Sequence, residues 1–381
     1  MNWLASFKYF YSHIAIYSCS IILSSSAVAL ESNIGVLLSL TGSQAYYGKE
    51  TKNGLEVALS EYLKKNPNTK IKFIFEDSQS SPTEAAKGAN KLLTSDKVPV
   101  IIGDMVSSNT IAASSIIEKA KIPMISPGST NDTVTKNKKY VFRTCFTDSF
   151  QGLVMANFAS QNLKTKTAVI LQDIDSDYSI GLSNNFAEKY TQEGGNILKV
   201  IKYSQKDTSF TPQLGEVRKL KPDVVFIPGF HQQVGIILRE AKDLQIKAKF
   251  LGGDGWDTKE LRTIASGAEV GSFISSHYSA EMPSVLLKKF IAAYKEKFKV
   301  EPSAFSALGY DTAQIVFYAL EKSKNNSSEE ITKAISQLKN FPGVTGTISI
   351  DQNNNAIKPA VILEYTQTGY KYITNINPLV K

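Results

Sequence analysis

The sequence predicts an α/β fold: two doubly wound parallel-sheet lobes joined by a hinge. Three observations predict it. Strand-like and helix-like patterns alternate from Ile34 to Ile125, the order expected of a parallel sheet with right-handed crossovers. The same alternation starts again after Phe146. No long Gly/Ser-rich or Pro-rich tether separates the two halves, so the chain must pass between them by short crossings, which suits a hinge. A length of 381 residues is enough for two cores, and 42% apolar with 20% charged residues is a globular composition.

The amino terminus stands apart. Lys8 is the only charge before Glu31, and Ile14–Leu30 is rich in Ile, Ala, Ser and Val, ending Ala27-Val28-Ala29. This pattern predicts a secretory signal peptide over residues 1–29, cut after Ala29. Cys19, in Ile16-Tyr17-Ser18-Cys19, faintly resembles a lipoprotein cleavage site, but Tyr17 is awkward there and lipidation is the lesser reading. Cleavage leaves Cys145 as a single cysteine, which excludes an intrachain disulfide. With only His13, His231 and His277, far apart, no metal site is expected. Loss of Lys8 takes the formal charge from +8 to +7, and the lysines are dispersed, as in Lys64-Lys65 and Lys288-Lys289. Without a basic block interleaved with aromatics, nucleic acid is not an expected partner.

Beyond residue 29, Ile34–Leu40 reads as a strand, Gly54–Leu63 as a helix, Ile71–Phe75 as a strand and Thr83–Leu93 as a helix. Pro99–Gly103 is a short continuous apolar run, as in a strand buried on both faces. Ser107-Ser108-Asn109 then precede a helical pattern from Ile111 to Ile117, and the strand Ile122–Ile125 closes into Pro127-Gly128-Ser129-Thr130. Two adjacent strands thus deliver two hydroxyl-bearing loops to one carboxyl-end edge, where open α/β sheets bind ligands. Either loop alone is better explained as an N-cap or a turn; side by side, the two readings are even.

After the strand Tyr140–Phe146 come strands at Ala168–Leu171, Ile197–Tyr203, Val224–Ile227 and Phe250–Leu251. Helices are predicted at Gly181–Tyr190, Leu214–Leu220 and Gln232–Leu244. Helices at Pro283–Phe298, Ala304–Lys322 and Glu329–Leu338 precede two closing strands, Thr345–Asp351 and Ala360–Tyr365. Lobe 1 is expected to take residues 30–146 and 279–355, and lobe 2 residues 147–278 and 356–381.

No G-x-G-x-x-G follows a strand, and neither a P-loop nor a G-x-S-x-G elbow occurs. Gly252-Gly253-Asp254-Gly255-Trp256 reads as a flexible loop presenting Asp254 and Trp256, although Asp254 is locally well explained as a turn residue. The polar and aromatic candidates all follow strands. Tyr47, Ser107 and Thr130 come from the first half; Tyr178, Phe230 and Asp254 come from the second. Hydroxyls and helix amino ends facing a carboxylate with aromatic walls suit a zwitterion.

Leu40-Thr41-Gly42, Tyr47-Gly48, Ile102-Gly103, Ser107-Ser108-Asn109-Thr110 and Pro127-Gly128-Ser129-Thr130 carry a resemblance, continued by Asp177-Tyr178, Gly229-Phe230, Gly253-Asp254-Gly255 and Gly309-Tyr310-Asp311. In this order, over the whole exported chain, the sequence resembles the leucine/isoleucine/valine-binding family of bacterial periplasmic binding proteins, which have the type I two-lobed fold and serve ABC importers. The resemblance implies that Ser107 and Thr130, with main chain near Gly128 and Ser129, hydrogen-bond a ligand carboxylate. It makes Tyr47, Tyr178 and Phe230 pocket walls and Asp254 the acceptor of an ammonium. Phe230 stands where a tyrosine is common, and Asp254 is shorter than the glutamate of several members. The expected function is capture of a small, aliphatic amino acid in the periplasm by a monomer that needs no cofactor, catalyses nothing and hands its ligand to a membrane permease. A protein of the same fold for an amide or urea, and a secreted α/β enzyme, are the alternatives. Trp256, the one tryptophan beyond residue 29, is expected to report ligand binding by its fluorescence.

Overall fold

The computed structural model describes residues 30–378. The signal-peptide reading of residues 1–29 and Cys19 lie outside the described residues. Lobe 1 opens with β1 (Glu31–Leu38), α1 (Ala45–Lys65), β2 (Lys70–Asp77), α2 (Pro82–Thr94), β3 (Ile101–Ile102), α3 (Ser107–Ala120), β4 (Met124–Ser126) and β5 (Val141–Arg143). All five strands are parallel, in the order β2-β1-β3-β4-β5. β3 and β4 are wholly buried, which is why their sequence shows no alternation. α2 starts where Ser81 accepts from the Glu84 amide and Pro82 supplies the first helical φ.

The chain then crosses into lobe 2, through α4 (Asp148–Asn157), β6 (Thr167–Asp173), α5 (Asp177–Gln192), β7 (Asn196–Tyr203), α6 (Thr211–Leu220), β8 (Val224–Ile227), α7 (His231–Asp243), β9 (Lys249–Gly252), α8 (Lys259–Ala265) and β10 (Phe273–Ser276). It returns to lobe 1 as α9 (Val285–Phe298), α10 (Ala304–Lys322) and α11 (Ser328–Ser336), followed by a small antiparallel sheet of β11 (Phe341–Gly343), β12 (Gly346–Ile350) and β13 (Ala356–Ile357). A last crossing at Lys358-Pro359 leads to β14 (Ala360–Tyr365) and β15 (Tyr370–Ile376) in lobe 2. The lobe 2 sheet runs β15-β14-β10-β9-β8-β6-β7.

The two-lobed α/β expectation holds, with differences of detail. The lobe 2 sheet is not wholly parallel, because β14 and β15 add to β10 as an antiparallel edge. Ala356–Ile357 pairs with β12, so the last crossing comes two residues later than residue 355. α1 begins nine residues before the expected Gly54, which places Tyr46 and Tyr47 in its first turn. Asp254–Trp256 forms a 3-10 turn rather than a flexible loop.

Lobe 1 is held together by the seam between α1 and α10, helices far apart in sequence. A Cβ on Gly54 would come 1.9 Å from the Ser306 carbonyl oxygen, and one on Gly309 would come 2.4 Å from the Thr51 carbonyl oxygen. Both positions therefore need glycine so that the two backbones can touch. The Tyr310 hydroxyl closes the seam by donating to Glu61 Oε2 at 2.6 Å.

Candidate functional site

Three helices that open onto the gap between the lobes start without a side-chain cap. α1 follows Gln44, α3 follows Val106 and α7 follows Phe230, and none of these side chains hydrogen-bonds the first turn. By contrast α4, α9, α10 and α11 start behind capping Thr147, Ser284, Ser303 and Ser327. An uncapped start leaves backbone N–H groups and the positive end of the helix dipole for another acceptor. Ser107 is the first residue of α3, not its cap as a local reading allows, and its Oγ accepts from the Asn131 amide at 3.2 Å.

The Pro127–Asn131 loop is set from behind by Arg143, a fully buried guanidinium. Its Nη1 donates to the Ser129 carbonyl at 2.9 Å, and its Nη2 donates to the Asn131 carbonyl at 2.9 Å and to Thr135 Oγ1 at 3.1 Å. In a planar trans peptide the N–H opposes the carbonyl, so the Thr130 N–H points away from Arg143. Burial holds the Arg143 pKa below its ordinary value. A second fastening comes from Asp104, which accepts from Ser39, Ser78, Asn109 and the Val106 amide and so ties the ends of β1 and β2 to the start of α3.

Facing these loops is Asp254, 4% exposed. Its Oδ1 accepts from the Tyr178 hydroxyl at 2.9 Å and from Gln151 Nε2 at 3.0 Å. Its Oδ2 lies 2.9 Å from Nε2 of His277, whose ring stacks on Phe146 at 3.9 Å between centroids. Burial lowers the His277 pKa, so the imidazole is neutral and donates through Nε2. The three partners of Asp254 are thus all uncharged donors. A carboxylate has about four lone-pair positions, so one acceptor position and the negative charge remain.

Tyr47, Met105, Ser107, Gly128, Thr130 and Phe305 of lobe 1 meet Tyr178, Phe230, Asp254 and Gly255 of lobe 2 around a cavity of about 20 Å³. Phe230 stacks on Tyr178 with centroids 5.4 Å apart, and Tyr47 stands edge-on to Phe305 at 4.9 Å. The lobes touch through the Tyr47 hydroxyl. It donates to the Gly255 carbonyl at 2.7 Å and accepts from the His231 amide at 3.2 Å, with His231 Nδ1 at 2.9 Å. Since its single hydrogen goes to Gly255, the neutral His231 ring must carry its proton on Nδ1. Asn131 Nδ2 donates to the Asp177 carbonyl at 2.6 Å, and the Asp177 amide donates to Ser108 Oγ at 3.1 Å. So small a space holds little beyond a water, and an organic solute enters only when the lobes part.

Of the eight residues expected in the site, seven line this cavity: Tyr47, Ser107, Gly128, Thr130, Tyr178, Phe230 and Asp254. Ser129 does not. Its amide donates to Ser126 Oγ at 2.9 Å, and its hydroxyl is shared between Thr110 and the Asp104 carbonyl inside lobe 1. Trp256 also departs from expectation: it is fully buried in the lobe 2 core, with Nε1 donating to the Ile227 carbonyl at 2.8 Å. Its ring therefore does not line the cavity. Met105, Gly255, Phe305, Gln151, His231 and His277 were not singled out as site residues from the sequence. Arg143 carried a signal, a lone charge inside the apolar run Tyr140–Phe146. Among the described residues no group of three or more His, Cys, Asp or Glu side chains could hold a metal ion, and no helix is long and apolar enough to cross a membrane.

Comparison with known proteins gives a consistent pattern. Residues 31–370 match a family model described as periplasmic binding protein. A Leu/Ile/Val-binding protein homolog of Brucella abortus is 30% identical over 87% of this chain and 90% of its own. Among solved structures, a leucine-binding protein of Thermotoga maritima superposes with a TM-score of 0.87 at 35% identity, over 91% of this chain and 99% of that one. A branched-chain amino acid transporter substrate-binding protein of Streptococcus pneumoniae, solved with isoleucine, gives 0.86 at 31% identity, over 91% and 100%.

Proposed function

Because the chain belongs to the periplasmic binding protein family, we propose that it is the solute-binding subunit of an ABC importer and that it captures a branched-chain amino acid between its lobes. The observation that carries this reading is one cavity with opposite chemistry on its two sides. Ser107, Thr130 and the uncapped start of α3 offer hydrogen bonds to a carboxylate; Asp254 offers a negative charge to an ammonium. Gly128 gives a close approach to main chain, while Tyr47, Tyr178, Phe230 and Phe305 form the apolar wall for a side chain. The isoleucine-bound and leucine-binding relatives support the choice of ligand.

The cycle is hinge closure. The ligand contacts groups of both lobes only when they close around it, in an arrangement roomier than the present cavity of about 20 Å³, so it favours that form by the difference in affinity. The lobe limits are residues 30–143 with 285–357, and 148–276 with 360–376, so the hinge consists of the three short crossings between them. The protein works as a monomer in the periplasm, delivers its solute to a permease and carries out no reaction of its own.

Calorimetric titration of residues 30–381 with isoleucine, leucine and valine tests the proposal, with Asp254→Asn as the critical variant. Asparagine keeps the shape, and its amide can donate to His277 Nε2 once that ring shifts its proton to Nδ1. The fold is therefore expected to survive while isoleucine binding weakens by roughly thirty-fold to several-thousand-fold, the ~2–5 kcal/mol of a stranded charge. Unchanged isoleucine affinity in Asp254→Asn would refute the ammonium contact. Binding of a neutral amide or urea, improved by the same change, would favour a solute without an ammonium.

A further inference from the structure

A second cavity between the lobes, of about 380 Å³, has no role in the capture just described. Its walls come from three parts of the chain. Lobe 1 gives Tyr46 in α1 and residues 301–304; lobe 2 gives Asp257, Arg262 and Tyr370; the crossing after β10 gives Tyr278 and Ala280. It adjoins the first cavity, since the Tyr46 ring meets Tyr47 edge-on at 5.8 Å and Asp257 follows Asp254 by one helical turn. Its volume lies in the range of small-molecule sites, whereas the cavity at Asp254 holds about 20 Å³.

We propose that this second cavity binds a small organic cation with an aromatic or apolar body, whose charge meets Asp257 among the rings of Tyr46, Tyr278 and Tyr370. Asp257 is 6% exposed and accepts from Ser276 Oγ. Burial, with a smaller push from the charge of Asp254, raises its pKa to about 6, so it is mostly ionised at neutral pH. The basic groups on the wall have their donors engaged by carbonyl oxygens. Arg262 donates to the carbonyls of Thr366, Gln367 and Gly369 at 2.8–3.0 Å and lies over the Tyr365 ring, and Lys259 Nζ reaches the Glu301 carbonyl at 3.5 Å.

Carboxylates outnumber cations on the wall, where Asp257, Glu281 and Glu301 stand with Lys259 and Arg262. Burial above all pushes the Tyr46 and Tyr278 hydroxyls far above their ordinary pKa, and the nearby carboxylates add to it: Glu50, Glu260 and Asp257 at Tyr46, Asp257 and Glu301 at Tyr278. A cation is attracted both by those carboxylates and by aromatic faces, and an apolar body covers the remaining wall. Because the occupant touches both lobes and the crossing, it fixes their mutual angle, and by linkage it changes affinity at the Asp254 cavity as that cavity changes affinity for it.

The test is titration of residues 30–381 with 2-phenylethylammonium and with 2-phenylethanol, its uncharged counterpart. One saturable site is expected for the ammonium, with the alcohol at least tenfold weaker. Asp257→Asn should weaken the ammonium at least tenfold, and Ala280→Phe, at an exposed wall position, should abolish binding by filling the cavity. Melting temperatures near that of the unaltered protein establish that both variants fold. Absence of saturable binding, or equal binding by Asp257→Asn, overturns the proposal. So does binding that Asp254→Asn removes and Asp257→Asn spares, which would put the probe in the other cavity.

Discussion

Tyr47 shows how a residue can be legible in part. Its place after the first strand marked it as a pocket wall, and its ring does meet Phe230 at 5.4 Å. Its hydroxyl, which joins α1 to the start of α7 and to Gly255, depends on residues 184 and 208 positions away, and no local pattern encodes that. Tyr47→Phe keeps the ring and removes the three hydrogen bonds. In the closed arrangement the Gly255 carbonyl and the His231 amide are then buried without partners, whereas in an open one water satisfies them. The closed form should lose about 1–3 kcal/mol, and isoleucine binding should weaken roughly 5- to 150-fold, mainly through faster dissociation. Stopped-flow displacement measures this; an unchanged dissociation rate would mean that the hydroxyl is incidental to closure.

Elements were readable in proportion to their length and their boundary chemistry. α10 was predicted with its observed limits, because Ser303 and Ser306 form a reciprocal cap ahead of a long apolar pattern. β10 and α8 were not foreseen: Phe273–Ser276 is half serine, unlike the wholly apolar β8, and seven residues are too few to show a helical period. α4 was missed because Asp148–Asn157 is buried around most of its circumference. The seam of α1 with α10 escaped for another reason, since nothing local says that Gly54 and Gly309 meet backbone. Gly54→Ala tests that seam. The new methyl would face the Ser306 carbonyl, which cannot rotate away, so the cost should be about 3 kcal/mol, at the upper end for overpacking. Urea denaturation with an unchanged slope and a lowered midpoint is the expected result, and a cost below 1 kcal/mol would show that the helices can separate freely.

At the scale of the whole molecule, closure is coupled to pH through His231. Tyr46 and Tyr47 of lobe 1 cover its ring, with centroids 6.0 and 5.3 Å away, and burial lowers its pKa from 6.5 to about 4. A histidine uncovered by opening titrates nearer its ordinary value. As pH falls from about 6.5 toward 4, the open form takes up a proton that the closed form excludes, so closure weakens by up to ~1.4 kcal/mol per pH unit. Isoleucine affinity should therefore drop below pH 6.5, and His231→Gln should flatten that drop. Melting temperature is a poorer readout, because burial pushes Asp173 and Asp257 up to about 6, and raised carboxyl groups favour the folded state as pH falls. A wild-type affinity constant from pH 7.5 to 5 would remove His231 from the closure equilibrium.

The three crossings also dictate an order of assembly in time. Lobe 2, apart from β14 and β15, is one uninterrupted stretch from Asp148 to Ser276, and its central strands can pair as soon as that stretch exists. Lobe 1 has no such freedom. Its α1 lacks its main partner until α10 has been made, and the Glu61–Tyr310 bond that closes their seam spans 249 positions. Contacts between such distant segments carry the loop-closure cost that slows folding. Lobe 1 is thus the last to be finished, and through that interval the face of α1 that meets α10 stays uncovered.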